Sequence, residues 1–528
     1  MKTREKNSFP FRRSAPVAVC LVAFGLRLIH LAGRPLWYDE AFSVQYAALS
    51  ADRMIFGTVT PVQGSGAAEV HPLLYYFLLH GWMRLAGLSP LAARFLSVML
   101  GMITVVILWR LAAWCFDRRA ALTVGLLAAT NPFHVAYSRE ARMYALLGLG
   151  AVTATSGLLR ALDRPETVSV VTPARGSAGV NRSGSRALSA QWWLFILGSA
   201  ITLYAHNLGA FVLVALHLLV AATPRWRRHL PKLALADLAV LILFSPWLIK
   251  VLPGQIGIVR NGYWLSTPGV DEVIRAIMLP VLTFYESAPG WLLGLGLFTS
   301  LLLFILLALQ ASRSHSRVRW FLVLTWVPVL LALVISCWQP VYLERALLPS
   351  ALFYLVAAGW LLTRHSLAPF IRISLGALLI LSTIGSLTIH YPYDEFPRPP
   401  FQEAINYLEE HVAPGDAVVH TNKLTYLPMH TYSPDLPGAF LADPPGSPQD
   451  TLSHPTQEAF GIFATPTITA AVEDADRAWV VYFPREVREA RAICGDHAAF
   501  RWLDNHFVRG QDEQFSDLTM TLYRRRAD

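Results

Sequence analysis

Charge is scarce in this chain. Only 15% of its 528 residues are Asp, Glu, Lys or Arg and 54% are hydrophobic, with a mean hydropathy of +0.42, a balance that excludes an ordinary soluble domain. Cysteine is scarcer still. The four present form no CxxC pair, so neither a zinc ribbon nor a disulfide framework is indicated, and Cys337 and Cys494 read as two unrelated thiols. Heptads and tandem repeats are lacking, which excludes a coiled coil or a solenoid. No small-residue cleavage site follows the basic stretch 2–13 and its apolar run, so an uncleaved first span is expected rather than a signal peptide. The net charge of +9 would point to nucleic acid if it lay on one soluble face. Here the basic residues sit in short patches between apolar runs, and no nucleic-acid partner is expected.

What is present is a series of long apolar runs. A helix must keep about 20 mostly apolar residues in register to cross a hydrocarbon core about 30 Å thick. Eleven runs read as spans: 14–33, 95–116, 120–137, 143–160, 191–205, 207–223, 233–249, 291–310, 320–336, 346–363 and 369–390. Cytoplasmic loops retain Lys and Arg. That rule assigns the basic patches at 2–13, Arg118 and Arg119, 160–186, 225–232, 313–319 and 364–372 to the inside, so every second loop is basic. The N-terminus is then cytoplasmic and the C-terminus extracytoplasmic. The segment 71–87 is apolar but short and carries His71, His80 and Arg84; a crossing there would move every later basic loop outside. It is expected to be an interfacial or re-entrant helix within a long outer loop, 34–94.

Two regions break the apolar pattern. Residues 161–190, rich in Pro, Gly, Ser, Thr and Arg, read as a flexible cytoplasmic loop. From 391 to 528 acids, prolines and short alternating segments replace the long runs. A second domain is expected there, a small extracytoplasmic α/β unit with a helix over 401–411 and strands at 417–420, 479–482 and 518–523. The fold class is therefore mainly α: a polytopic bundle over 1–390 followed by that domain.

The residues able to carry chemistry gather in the outer loops. The first opens with Arg34-Pro-Leu-Trp-Tyr-Asp39-Glu40-Ala-Phe-Ser, two adjacent carboxylates beside two aromatics. They fit a helix N-terminus, with Asp39 capping and Glu40 at the positive end of the dipole. They also fit a general base with an orienting neighbour. The second carries Ser138-Arg139-Glu140-Ala-Arg142-Met-Tyr144, an acid between two arginines. This reads either as an interfacial anchor or as a site where Glu140 holds substrate hydroxyls or a metal while Arg139 or Arg142 meets a phosphate. A further loop, Tyr342-Leu-Glu344-Arg345-Ala-Leu-Leu-Pro, places an arginine where it could stabilise a phosphate leaving group. Glu69, His71 and His206 complete the outer-face set, and His with carboxylate is usable by a divalent metal ion, although no tight ligand spacing supports one.

Taken in order, Leu36-Trp-Tyr-Asp39-Glu40, His71-Pro-Leu-Leu-Tyr-Tyr, Ser138-Arg-Glu140-Ala-Arg-Met-Tyr and Glu344-Arg345-Ala-Leu-Leu-Pro resemble the GT-C glycosyltransferases. The likeness is to the protein O-mannosyltransferase-like bacterial enzymes that include the lipid A aminoarabinose transferase and the lipopolysaccharide core galacturonosyltransferases. It covers the membrane part of the chain. The resemblance implies transfer of a sugar from a polyprenyl-phosphate donor to a lipid, glycan or protein acceptor at the outer face of a bacterial plasma membrane. By position it makes Asp39 the catalytic base, with Glu40 and Glu140 beside it. Glu344 and Arg345 fall near the donor phosphate, and His71 takes the place of a polar residue before the proline. A transporter or flippase for a lipid-linked sugar would share the spans and the acidic cavity, but its ionisable groups would be expected near the bilayer midplane. A membrane-anchored sensor would need only one or two spans.

Overall fold

The computed structural model describes residues 11–62, 71–163, 188–260, 265–283, 287–313, 316–443, 451–495 and 497–526. The flexible loop expected at 161–190 falls mostly outside these residues, as do Glu69 and the first part of the basic stretch 2–13. In chain order the helices are α1 (Phe11–Leu28), α2 (Tyr38–Ala48), α3 (Ala51–Val59), α4 (Leu74–Ala86), α5 (Pro90–Cys115), α6 (Arg118–Thr130), α7 (Pro132–Tyr137), α8 (Tyr144–Leu162), α9 (Ala190–Ala205) and α10 (Ala210–Ala221). There follow α11 (Leu230–Lys250), α12 (Leu252–Arg260), α13 (Val270–Met278), α14 (Gly290–Arg313), α15 (Ser316–Ser336), α16 (Leu348–Leu362) and α17 (Pro369–His390). Each of the eleven apolar runs is helical. Among the described residues, seven segments are long and apolar enough to cross a membrane, and three more apolar helices are shorter.

The third run differs from the expectation of one continuous span. It splits into α6 and α7 at Asn131-Pro132, because proline disfavours helical backbone at the residue before it and offers no N–H. Asn131 then caps α7 by accepting from His134 N at 2.9 Å. The segment 71–87 becomes α4, which at 1.5 Å per residue is only about 20 Å long, too short to span. It buries Tyr75, Tyr76, Leu79 and Met83 against the bundle and leaves Phe77, Leu78 and Leu85 outward. With α2 and α3 it makes the outer loop a helical cap rather than a loose connection.

Small residues draw the helices together around the site. At Gly101 on α5 an added Cβ would lie 2.3 Å from Ser138 Oγ, so the turn between α7 and α8 seats against that helix only because no side chain intervenes. Gly198 on α9 meets the backbone of Ala154 on α8 in the same manner.

Beyond α17 the chain builds a five-stranded mixed sheet, in the order β2-β1-β3-β5-β4. Its strands are β1 (Ala417–His420), β2 (Ala439–Phe440), β3 (Arg477–Tyr482), β4 (Phe507–Phe515) and β5 (Leu518–Arg525). β1 pairs in parallel with β2 and β3, and β5 pairs antiparallel with β3 and β4. The helices α18 (Phe401–His411), α19 (Lys423–Tyr432) and α20 (His454–Phe460) accompany it. This unit is pinned to the outer loop. Tyr432 Oη accepts from Leu36 N at 2.6 Å, Gln45 donates to Leu427 O and Thr431 Oγ1, and Phe460 packs on Phe42 and Tyr46.

Candidate active site

The loops at this end of the bundle are locked by one buried arginine. Arg94, the fifth residue of α5, donates to the carbonyls of Leu31 and Arg34 at 2.8 Å and of Pro35 at 3.0 Å. It also grips both oxygens of Glu40, Nε to Oε1 at 2.8 Å and Nη2 to Oε2 at 2.6 Å. Glu40 Oε1 further accepts from Ala141 N at 2.9 Å. One carboxylate thereby joins the first outer loop, α5 and the turn before α8. Burial alone would push its pKa up, but Arg94, Arg398 and the Ala141 amide outweigh that and hold it below the usual range. Glu40 is fully enclosed, and its oxygens are occupied in positioning the loops.

Asp39 lies one residue earlier on the first turn of α2. The capping alternative does not hold, since the N-cap is Trp37 without a side-chain cap. Asp39 Oδ2 instead accepts from Arg345 Nη1 at 2.6 Å, with Arg142 Nε at 3.7 Å. Burial would raise this carboxyl, but Arg142 and Arg345 more than offset it and hold Asp39 below the ordinary carboxylate range. Arg142 also reaches the Asp39 carbonyl, Ser43 Oγ and Tyr76 Oη. Its neighbour Arg139 faces elsewhere. Its guanidinium donates to the carbonyls of Arg27 and Ile29, meets His390 Nε2 at 2.7 Å and lies over the Tyr391 ring. In this arrangement Arg139 ties the end of α1 to α17.

A cavity of about 790 Å³ opens beside this cluster. Trp37, Tyr137, Glu140, Glu344, Arg345 and Arg398 are in its wall. Arg345 therefore faces two ways, toward Asp39 behind it and toward the cavity, and its guanidinium also lies over the rings of Trp37 and Tyr144 at 5.5 Å each. Glu140 Oε1 accepts from Arg398, whereas Oε2 is buried with no hydrogen-bond partner among the described residues. Burial is the larger effect on Glu140 and raises its pKa, with Arg398 opposing and Glu40 reinforcing the rise. Glu344 is near Arg275 at 3.9 Å.

Arg94 and Arg398 are the functional-site residues that sequence reasoning missed. Arg398 comes from the segment just after α17, stacks over Trp37 at 5.0 Å and lies 3.7 Å from Glu40 as well as pairing with Glu140. Its only signal was a basic residue bracketed by prolines.

The residues expected to hold a metal are only partly together. His71 and His206 face each other with ring centroids 5.3 Å apart. His206 Nδ1 accepts from Leu208 N at 3.1 Å, and Nε2 has no hydrogen-bond partner among the described residues. Burial, then His71 and two arginines, push His206 well below the imidazole range, leaving it neutral. Glu69 is outside the described residues, and among the described residues no three His, Cys, Asp or Glu side chains converge as a metal-ligand group. Two imidazoles alone do not make a divalent-ion site, so the donor set described does not fit one.

A family model described as dolichyl-phosphate-mannose-protein mannosyltransferase matches residues 70–176, the stretch from before α4 through the Glu140 turn and α8. No curated protein matches the chain. Among solved structures, ArnT from Cupriavidus metallidurans bound to undecaprenyl phosphate aligns with a TM-score of 0.60 at 12% identity, over 97% of this chain and 98% of that one. The fold is the GT-C membrane fold. The Archaeoglobus fulgidus oligosaccharyltransferase in its apo form also aligns, at 12% identity and a TM-score of 0.52, over 94% of this chain and 73% of that one. The same archaeal enzyme, AglB, in complex with an inhibitory peptide and a dolichol-phosphate gives equal figures except for 72% of its own chain. The GT-C likeness extends through the C-terminal sheet, further than the membrane part on which the sequence motifs rested.

Proposed function

We propose that this protein is a membrane glycosyltransferase that moves a sugar from a polyprenyl-phosphate donor to an acceptor hydroxyl at the outer face of a bacterial plasma membrane. The observation that carries the reading is the double placement of Arg345, paired with the buried Asp39 at 2.6 Å and lining the 790 Å³ cavity. An anionic donor phosphate entering that cavity competes with Asp39 for the same guanidinium. The relatives bound to undecaprenyl phosphate and dolichol-phosphate support a lipid phosphate as that anion.

The steps follow from this competition. The donor phosphate takes Arg345, and Asp39 keeps only the more distant Arg142, so its affinity for a proton rises. Asp39 then accepts the proton of the acceptor hydroxyl as the oxygen attacks the anomeric carbon. The bond from that carbon to the phosphate oxygen breaks, and polyprenyl phosphate leaves with the electron pair while Arg345 stabilises its charge. A single displacement inverts the anomeric centre. Glu140, in the cavity wall with one oxygen held by Arg398, is suited to meet a sugar hydroxyl. Glu40 and Arg94 fix the loops and touch no reactant.

The test is mass spectrometry of cell-envelope glycans and lipid-linked sugars with and without the gene, complemented by wild type or by Asp39→Asn. Accumulated donor together with a missing glycan, restored by wild type alone, is the outcome for a transferase. Donor trapped on the inner leaflet would instead identify a flippase.

A further inference from the structure

The basic loops, whose regular spacing serves as a topology signal, also meet in space. At the end of the bundle opposite the carboxylates lies a second cavity, of about 630 Å³. Its wall includes Arg225, Arg317, Arg364, Trp360 and Thr363, drawn from three different basic loops and the end of α16. The depth of this cavity follows from α5 and α16, which run from the active site to it. From Arg94 to Cys115, which also lines it, is 21 residues, or about 32 Å at 1.5 Å per residue. That is about the thickness of a hydrocarbon core. The cavity is therefore at headgroup depth on the far leaflet.

Its charges are unbalanced. Arg225 and Arg317 share one carboxylate, Asp163, at 3.0 and 2.7 Å. Arg317 is further fixed by the carbonyls of Trp114 and Cys115. Arg364 stacks over Trp360 at 5.0 Å, and its Nε is buried with no hydrogen-bond partner among the described residues. The acid in the wall itself, Asp117, caps α6, where its Oδ1 accepts from the amides of Arg119 and Ala120. Three guanidiniums thus face this space against two carboxylates, Asp163, shared by two of them, and Asp117, so positive charge is in excess. The missing acceptor is an anion with several oxygens, at the depth where phospholipid phosphates lie.

We propose that this cavity binds the phosphate of an anionic phospholipid from the leaflet opposite the active site, with Arg364 and Arg225 as its principal donors. Basic pockets between membrane helices take such headgroups, and guanidinium forks suit phosphate oxygens. The site is separate from the transfer reaction and stands or falls independently of it.

The test uses the full-length protein, delipidated in a neutral detergent. Native mass spectrometry and thermal unfolding are followed on titration with phosphatidylglycerol, phosphatidylcholine or inorganic phosphate. Wild type should retain phosphatidylglycerol in preference to phosphatidylcholine and gain thermal stability from it. Arg364→Gln should weaken that binding about tenfold, the usual effect of losing one charge-assisted hydrogen bond, without loss of fold because no protein acceptor depends on this side chain. Lys232→Gln removes the same charge from an exposed residue outside the cavity and should bind as wild type does. If Arg364→Gln folds poorly, Arg225→Gln probes the same wall from a more exposed side chain. Equal retention of the two lipids, or undiminished phosphatidylglycerol binding in the arginine variants, overturns the proposal. Full stabilisation by inorganic phosphate alone overturns the lipid assignment in favour of a soluble phosphate.

Discussion

Replacing Asp39 by asparagine separates its two roles, proton acceptor and counter-ion of Arg345. An amide at this position cannot take a proton, so kcat should fall about a hundredfold to ten-thousandfold, the range lost with a general base. The effect on donor binding has the opposite sign. In the wild type the donor phosphate must displace a carboxylate held at 2.6 Å, an attraction of about 4 kcal/mol at 4 Å with an effective dielectric of 20. The Asp39→Asn substitution removes that competitor and leaves a guanidinium without its anion. Even if most of the difference is lost to reorganisation, polyprenyl phosphate should bind the variant at least about tenfold more tightly. The assay is equilibrium binding of polyprenyl phosphate to the reconstituted protein, run beside transfer kinetics with the native donor. A fall in kcat with unchanged or weaker lipid-phosphate binding would refute the shared guanidinium, and full activity would remove Asp39 from the mechanism.

Arg94→Gln leaves Glu40 buried without its principal counter-ion and frees three carbonyls, so it should destabilise the protein by about 3–5 kcal/mol, visible as a large drop in thermal unfolding temperature in detergent. A variant with wild-type stability would show that the outer loops are held by something else. Arg139→Gln should lower thermal stability while leaving donor affinity within about threefold of wild type, because its guanidinium serves α1 and α17; a selective loss of donor binding would contradict this. Glu140 is held above the usual carboxylate range, so its buried charge disfavours the folded state at neutral pH, and that penalty vanishes as pH falls through its folded pKa toward the unfolded value of 4.5. Glu140→Gln should therefore gain unfolding temperature relative to wild type by more at pH 7.5 than at pH 5, and a gain that grows on acidification would reverse the assignment.

The apolar runs made the helices legible because lipid as solvent demands long, uninterrupted hydrophobic segments, and the run at 120–137 erred only where Asn131-Pro132 breaks the backbone. The strands at β1, β3 and β5 were visible through their apolar residues. The edge strand β4 was not, since Gly510, Gln511, Asp512 and Glu513 give no buried face to read. At the site, sequence order brought Asp39, Glu140 and Arg345 forward together, and they do converge. What sequence could not assign was direction. Arg139 and Arg142 are three residues apart, yet one faces α17 and the other Asp39. Arg94 and Arg398 escaped notice for the same reason: a lone arginine beside an apolar run or between prolines acquires meaning only from the carboxylate that folding brings to it. The arginines of the basic loops carried a topology signal legible at once, while their meeting around one cavity was not.

The most direct measurement is the affinity of reconstituted protein for polyprenyl phosphate in wild type and Arg345→Gln, with Asp39→Asn alongside. The shared-guanidinium account predicts binding about tenfold to a hundredfold weaker in Arg345→Gln and tighter in Asp39→Asn. Equal affinity across all three proteins would contradict it.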